Sequence, residues 1–280
     1  MMLKVETGAK GDEDGLRKIL HFIREYKRVD LSQYREGFAF RRLRLRIQAA
    51  KCQNYLDYIK LLQEKPEEFN RFLDNLSINV TEFFRDTDVF AAFKNILISE
   101  IIPKKEAASH RIIRFWSAGC ASGEETYSLA MLIKEALGGK TGFVVKIWGT
   151  DIDNDALEKA RKGEYKLDDK LGKIDKRIMK KYFIPVDAET CRVQDEIKQM
   201  VKFEQCNLSR DPPFNYLDAI FCRNVMIYLS HQQKGELFER FHRLLNPRGY
   251  LILSKVETLW EKRLFETVLP KEKIYRKIDL

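Results

Sequence analysis

No stretch of this 280-residue sequence approaches the roughly 18 consecutive apolar residues of a membrane-spanning helix, so a helical membrane anchor is excluded from the reading. No C-x-x-C pair occurs. The five cysteines (Cys52, Cys120, Cys191, Cys206 and Cys222) are odd in number and scattered, and the four histidines are dispersed. That spacing argues against a disulfide framework and against a zinc site. There are no internal repeats and no low-complexity tracts. The opening residues, MMLKVETGAKGDEDG, are polar and carry acids, which does not fit a signal peptide and sets a cytoplasmic expectation. Acid is in deficit: 51 Lys and Arg stand against 42 Asp and Glu, a formal net charge of +9. Such a balance suits an anionic partner (nucleic acid, a membrane surface or an acidic protein) or serves solubility alone.

What is present divides into two textures. Leu16, Ile19, Leu20 and Ile23 fall at i, i+3, i+4 and i+7, and Phe69, Phe72, Leu73 and Leu76 repeat the pattern. Both are amphipathic helix signatures. Between them REGFAFRRLRLRIQAA reads as a basic helix, with Phe40, Leu43 and Ile47 on one face and Arg41, Arg42 and Arg46 directed elsewhere. From about residue 111 the texture changes. RIIRFW, VVKIWGTDID, YLDAIFCRN, YLILSK and KIYRKI read as strands. Glu124 to Leu137, NDALEKAR (with Asn154 as its N-cap) and HQQKGELFERFHRLL read as helices, and NPRG as a turn. Strands alternating with helices predict an α/β fold with a mainly parallel sheet and helices on both faces. Residues 165 to 205 interrupt the alternation and read as a small inserted β subdomain. The boundaries expected are 12–78 for an all-helical amino-terminal domain and 79–280 for the α/β domain.

FWSAGCASGEETYSLAM carries the chemistry. A strand enters a small-residue turn and a helix leaves it, the layout of a phosphate cradle, but the spacing is neither G-x-G-x-x-G nor G-x-x-x-x-G-K-[ST]. Where a phosphate would seat on the helix N-terminus, Glu124 and Glu125 already supply negative charge. An ammonium or sulfonium meets opposite charge there. Acids in a helix's first turn are also favoured by the helix dipole alone. The next strand ends in Asp151-Ile152-Asp153, where a carboxylate is placed to accept ribose hydroxyls. A ribose, a cation and no phosphate describe S-adenosylmethionine. Upstream, SINVTEFFRD supplies Asn79, Thr81 and Arg85, and an arginine can bind a cofactor carboxylate bidentately; Thr81 also reads as a helix N-cap.

With SINVTEFFRD, FWSAGCASGEETYSLAM, GTDIDNDALEKAR and FCRNVMIYL in this order, the sequence resembles the chemotaxis receptor methyltransferases of the CheR type over nearly its whole length. The resemblance implies a class I methyltransferase domain with an inserted subdomain behind a basic helical domain. It implies that Asn79, Thr81, Arg85, Glu125, Asp151, Asn207, Leu208, Arg223 and Asn224 bind the cofactor. It also implies that Arg85 and Tyr228 stand beside the transferring methyl, and no metal is expected. The implied reaction forms methyl esters on receptor glutamates and leaves S-adenosylhomocysteine. The arginines Arg41, Arg42, Arg44 and Arg46 become candidates for docking the acidic receptor cytoplasmic domain. Val186 to Arg192 lacks the glycine-rich turn of members that grip a receptor tether peptide, so tether binding is not expected. SKVETLW departs from the family's usual ending, and no role carries to Glu257.

Two other readings compete. A nucleic-acid methyltransferase suits the charge, but DPPFNY precedes a strand rather than ending one, and Cys222 lacks the preceding proline of a pyrimidine nucleophile. A non-catalytic cofactor sensor is the third.

Overall fold

Leu217–Cys222 is buried at all six positions, so this run lies inside a sheet covered on both faces. Strands of that kind are placed at the centre. The structure, a computed structural model, describes residues 9–27, 36–65, 67–69, 71–72, 81–108, 111–167, 171, 174–226 and 229–279. It divides into two compact units, residues 1–78 with 228–233, and 79–227 with 234–280.

In the first unit, α1 (Ala9–Lys27), α2 (Glu36–Ala49) and α3 (Tyr55–Glu64) close on one core. Leu16, Ile19, Ile23, Phe40, Leu43, Tyr58, Leu62 and Phe72 are buried there, and Leu20 and Ile47 pack at its edge. All but Tyr58 and Leu62 are residues that helical periodicity assigns to one face. Leu73 and Leu76 lie outside the described residues. Asn54 caps α3, its side-chain oxygen accepting from the amides of Leu56 and Asp57.

The second unit opens with α4 (Thr87–Ile96), a π-helical turn (Leu97–Ile101) and α5 (Ile102–Ala107). Then follow β1 (Ile112–Ala118), α6 (Glu124–Leu137), β2 (Val144–Asp151) and α7 (Asn154–Lys162). The inserted sheet holds β3 (Glu164–Lys166), β4 (Phe183–Pro185) and β5 (Thr190–Val193), with α8 (Lys176–Tyr182) between β3 and β4. After α9 (Asp195–Lys198) come β6 (Val201–Gln205), β7 (Leu217–Cys222), α10 (His231–Leu244), β8 (Leu245–Leu253), β9 (Phe265–Leu269) and β10 (Ile274–Lys277).

The large sheet has the order β6-β2-β1-β7-β8-β10-β9. All pairings from β6 to β8 are parallel, and β10 runs antiparallel to both neighbours. From β1 the chain steps outward through β2 to β6, then returns to β7 on the other side. The crevice at the carboxyl ends of β1 and β7 is therefore the topological switch point, where open α/β sheets bind ligands. Phe93 of α4 seats on this centre, edge-on to Phe115 of β1 and Phe221 of β7. Each such buried ring contributes about 1.5–3 kcal/mol of transfer free energy.

Several elements differ from the sequence reading. Val201–Gln205, assigned to the insert, pairs in parallel with β2 as the edge of the large sheet; only β3, β5 and β4 form the separate antiparallel sheet. Asp153, not Asn154, caps α7, because its Oδ1 accepts the Ala156 amide at 3.0 Å. Thr81 caps no helix: α4 begins at Thr87 with Asp86 before it. NPRG is drawn into β8 as an irregularity, the register jumping from Leu217 opposite Leu245 to Ala219 opposite Tyr250.

Candidate active site

Four of the five strands of the parallel core each deliver one group to the carboxyl edge. Ser117 lies in β1, Asp151 is the last residue of β2, Asn207 follows β6, and Arg223 follows β7 directly. The turn after β1 brings Glu124 and Glu125 into the first turn of α6.

That turn needs its two glycines. Gly119 has φ +78°, and a Cβ there would stand 2.4 Å from Val225 Cγ2. Gly123 has φ +94°, and a Cβ would meet Ala160 Cβ at 2.8 Å. Both values lie in the left-handed region that disfavours side-chain-bearing residues. Tyr165 of the inserted sheet donates to the Ser122 carbonyl at 2.7 Å and pins the turn from outside.

The two acids that follow part company. Glu124 accepts from Ser122 Oγ at 2.8 Å. Glu125 turns inward, where its Oε1 accepts from Ser117 Oγ at 2.8 Å and its Oε2 from Arg223 Nη1 at 3.2 Å. Burial pushes the Glu125 pKa above the usual carboxylate range, and the Arg223 charge with the two hydrogen bonds offsets only part of that. Asp151 is 8% exposed. Its Oδ2 accepts the Ala121 amide at 2.8 Å and its Oδ1 the Asp153 amide at 3.0 Å. Burial raises its pKa too, against those amide bonds. A carboxylate has about four acceptor positions, so Asp151 retains capacity for two hydroxyls.

Arg223 joins the elements. Its side chain is 1% exposed; one nitrogen meets Glu125 and the other meets Asp86, while Nε has no acceptor. Asp86 belongs to the turn that carries Arg85, which is half-buried, as is Thr81. Asn207 and Leu208 are brought beside Asp151 by the bond from the Cys206 amide to the Asp151 carbonyl, 3.0 Å. There Asn207 Oδ1 accepts from the amide and hydroxyl of Ser209, and the Leu208 carbonyl accepts from Arg240 at 2.7 Å. Asn224 adopts φ +61° and donates its amide to Glu257 Oε2 at 3.1 Å. Asn79 and Tyr228 lie outside the described residues.

Four residues of this edge escaped the sequence reading. Ser117, Ser128 and Asp86 sit inside quoted motifs, but their contacts are non-local. The sequence assigns Glu257 no role. It is 4% exposed, and its carboxylate collects the amides of Asn224, Met226 and Ser254 and the Ser254 hydroxyl at 2.7–3.1 Å. An acid inside ILSKVETLW was its one local sign.

The arginine helix differs more sharply from expectation. Arg41 and Arg44 are exposed and Arg42 is half-buried. Arg46 is not an outward charge: its Nε and Nη2 grip Glu68 at 2.6 and 2.8 Å, and Tyr58 donates to the same carboxylate at 3.1 Å.

These residues fit S-adenosylmethionine. A half-buried carboxylate at the switch point suits an amino group, a buried carboxylate ending β2 suits a ribose, and the glycine turn between them leaves no room for side chains. Among the described residues no group of three or more His, Cys, Asp and Glu is arranged to hold a metal, and no helix is long and apolar enough to cross a membrane.

Comparison with known proteins agrees. The family model described as the CheR methyltransferase SAM binding domain matches residues 79–274, and that described as the CheR methyltransferase all-alpha domain matches residues 14–77. A chemotaxis protein methyltransferase of Borreliella burgdorferi is 30% identical over 263 residues, spanning 92% of this chain and 93% of its own. Chemotaxis protein methyltransferase 2 of Pseudomonas aeruginosa is 34% identical over 82% of this chain and 81% of its own. The chemotaxis protein methyltransferase of Salmonella typhimurium is 31% identical over 86% and 82%.

Proposed function

The chain belongs to the CheR methyltransferase family, and we propose that it methylates glutamate side chains in the cytoplasmic domain of chemotaxis receptors, forming glutamyl methyl esters in the cytoplasm. It is an S-adenosylmethionine-dependent methyltransferase. The observation that supports the site most directly is the pair of carboxylates at the carboxyl edge of adjacent strands, Asp151, which is buried, and Glu125, whose side chain is 14% exposed.

S-adenosylmethionine, when bound, supplies an electrophilic methyl group that an ionised carboxylate takes by direct displacement. Glu125 holds the amino group and Asp151 the ribose. Asn207 and Leu208 border the adenine, and Asn79, Thr81, Arg85, Arg223 and Asn224 complete the pocket. A glutamate acceptor has a reference pKa near 4.3 and is already ionised at neutral pH, so no general base is required. The chain's contribution is alignment and exclusion of water. Arg85 positions the acceptor carboxylate by charge, and Tyr228 orients it at the methyl site. No metal takes part.

Docking falls to the exposed arginines of α2, Arg41 and Arg44, with Arg42 beside them. Receptor glutamates offer the opposite charge. Arg46 contributes by holding the helical unit together. The turn between β4 and β5 closes on itself, the Val186 amide donating to the Thr190 carbonyl at 2.9 Å. Without glycines it does not receive a tether peptide in this reading.

The packing of DPPFNY weighs against nucleic acid as the acceptor. Phe214 is buried, stacked on Trp148 at 4.6 Å and edge-on to Trp116, before β7 begins. The motif is therefore spent on packing, away from the carboxyl edge.

The test is incubation with methyl-labelled S-adenosylmethionine and a receptor cytoplasmic fragment, followed by alkaline release. Base-labile label in the receptor is expected. Label found only in added DNA or RNA would transfer the acceptor to nucleic acid, and cofactor binding without label in any acceptor would favour the sensor.

A further inference from the structure

Phe84 and Asp86, the neighbours of Arg85, both have left-handed backbones, at φ +52° and +58°. Neither is glycine. A turn with two such residues in three positions persists only where its surroundings over-determine it. Two contacts do so here. Ser128 of α6 donates its hydroxyl to the Glu124 carbonyl at 2.6 Å and accepts the Phe84 amide at 2.9 Å. Asp86 pairs with Arg223, whose other nitrogen meets Glu125. Lys255 adds a longer contact, 3.9 Å from Asp86 Oδ1, while bonding Asp88.

Both grips lead to the same place. One ends at the Glu124 carbonyl and the other at the Glu125 carboxylate, in the first turn of α6. The segment bearing Arg85 is thereby bracketed, one residue on each side, against the helix turn that bears Glu125. We propose that Ser128 and Asp86 are positioning residues that lock this turn, so that Arg85 and Glu125 keep a fixed separation. This rests on the reading that Arg85 acts on the acceptor. It adds that the left-handed turn is held by two side chains outside the cofactor contacts.

The burial of the two residues differs, which makes the claim testable. Ser128 is fully buried, whereas the Asp86 side chain is 29% exposed. Asp86→Asn keeps an acceptor for Arg223 but loses the charge. Ser128→Ala leaves the Phe84 amide without its partner.

Two measurements on the full chain decide the matter. The first is hydrogen exchange of the segment around Phe84 to Asp86, in Ser128→Ala and Asp86→Asn, with circular dichroism melts alongside. Exchange faster by about tenfold or more in that segment, with the rest of the domain unchanged, is expected. Unchanged exchange overturns the lock. The second is a double-mutant cycle on receptor methylation. Each variant is expected to lower kcat about tenfold with little change in KM, and to add less than about twofold in an Arg85→Ala background. Losses that multiply in full with Arg85→Ala overturn the proposal, because the two residues would then act elsewhere. Faster exchange with normal kcat in Arg85→Ala upholds the lock and instead removes Arg85 from the mechanism.

Discussion

Arg223 Nη1 stands 3.2 Å from Glu125 Oε2 across the crevice between β1 and β7, and its other terminal nitrogen holds Asp86. One guanidinium, 1% exposed, thus connects Glu125, the acid proposed to hold the cofactor's amino group, to the turn of Arg85. Removing one partner of a buried ion pair leaves the other charge uncompensated. Arg223→Leu is expected to cost about 3 kcal/mol of stability and to drive Glu125 further toward its protonated form. Denaturant unfolding checks the first, and the pH dependence of cofactor binding the second.

Glu125 gives a pH prediction of definite sign. Burial holds its folded-state pKa above the unfolded value, which lies near 4.3. Such a group's contribution to stability is complete below the unfolded pKa and is lost as pH rises through the folded one. Ionised Glu125 therefore costs the ligand-free protein stability at neutral pH. The melting temperature of Glu125→Gln, relative to the parent, is expected to rise between pH 4 and pH 7. Cofactor affinity runs the other way in the parent, falling as pH drops, from a higher pH than an exposed glutamate would set. A relative melting temperature flat across that range would contradict the assignment.

Glu68 carries the opposite sign. Its burial raises the pKa, but the hydrogen bonds and charge of Arg46 outweigh that, and the net value is lowered. Its stabilisation is present above about pH 4.3 and is lost as pH falls through the folded value. Acid is expected to loosen the helical unit through this pair, and Glu68→Gln to remove that component of the pH dependence.

The same pair separates docking from folding on α2. Arg41→Glu and Arg44→Glu are expected to keep the helical signal and melting temperature while slowing receptor methylation, most strongly at low salt. Arg46→Glu is expected to destabilise the unit itself, by about 3 kcal/mol. Methylation kinetics at two ionic strengths, read beside thermal melts, distinguish the two effects.

Local patterns made much of this legible. Glu124–Leu137 is bracketed by glycines in left-handed conformation, and Ala130, Ile133 and Leu137 are buried at the expected spacing. Asp151 ends its strand where a ribose ligand belongs in this kind of sheet. Pairings across long separations were not legible. Arg46 and Glu68 are 22 residues apart, Phe84 and Ser128 44, and Asp86 and Arg223 137. The side chains of Arg46, Glu68, Asp86, Ser128 and Arg223 read locally as surface polar groups, and Phe84 contributes only its backbone amide. The edge strand β6 was misassigned for the same reason. Its half-buried pattern matches a short subdomain strand, and only its register against β2 reveals the larger sheet.

The central claim is that two carboxylates at the sheet's carboxyl edge, buried Asp151 and half-buried Glu125, select S-adenosylmethionine. Calorimetric titration of the cofactor into the parent, Glu125→Gln and Asp151→Ala tests it most directly. Each loses hydrogen bonds to a charged group, worth about 1.5–3 kcal/mol, so affinity is expected to fall by about tenfold or more in both variants. Unchanged affinity in both, with the fold intact, would contradict the account.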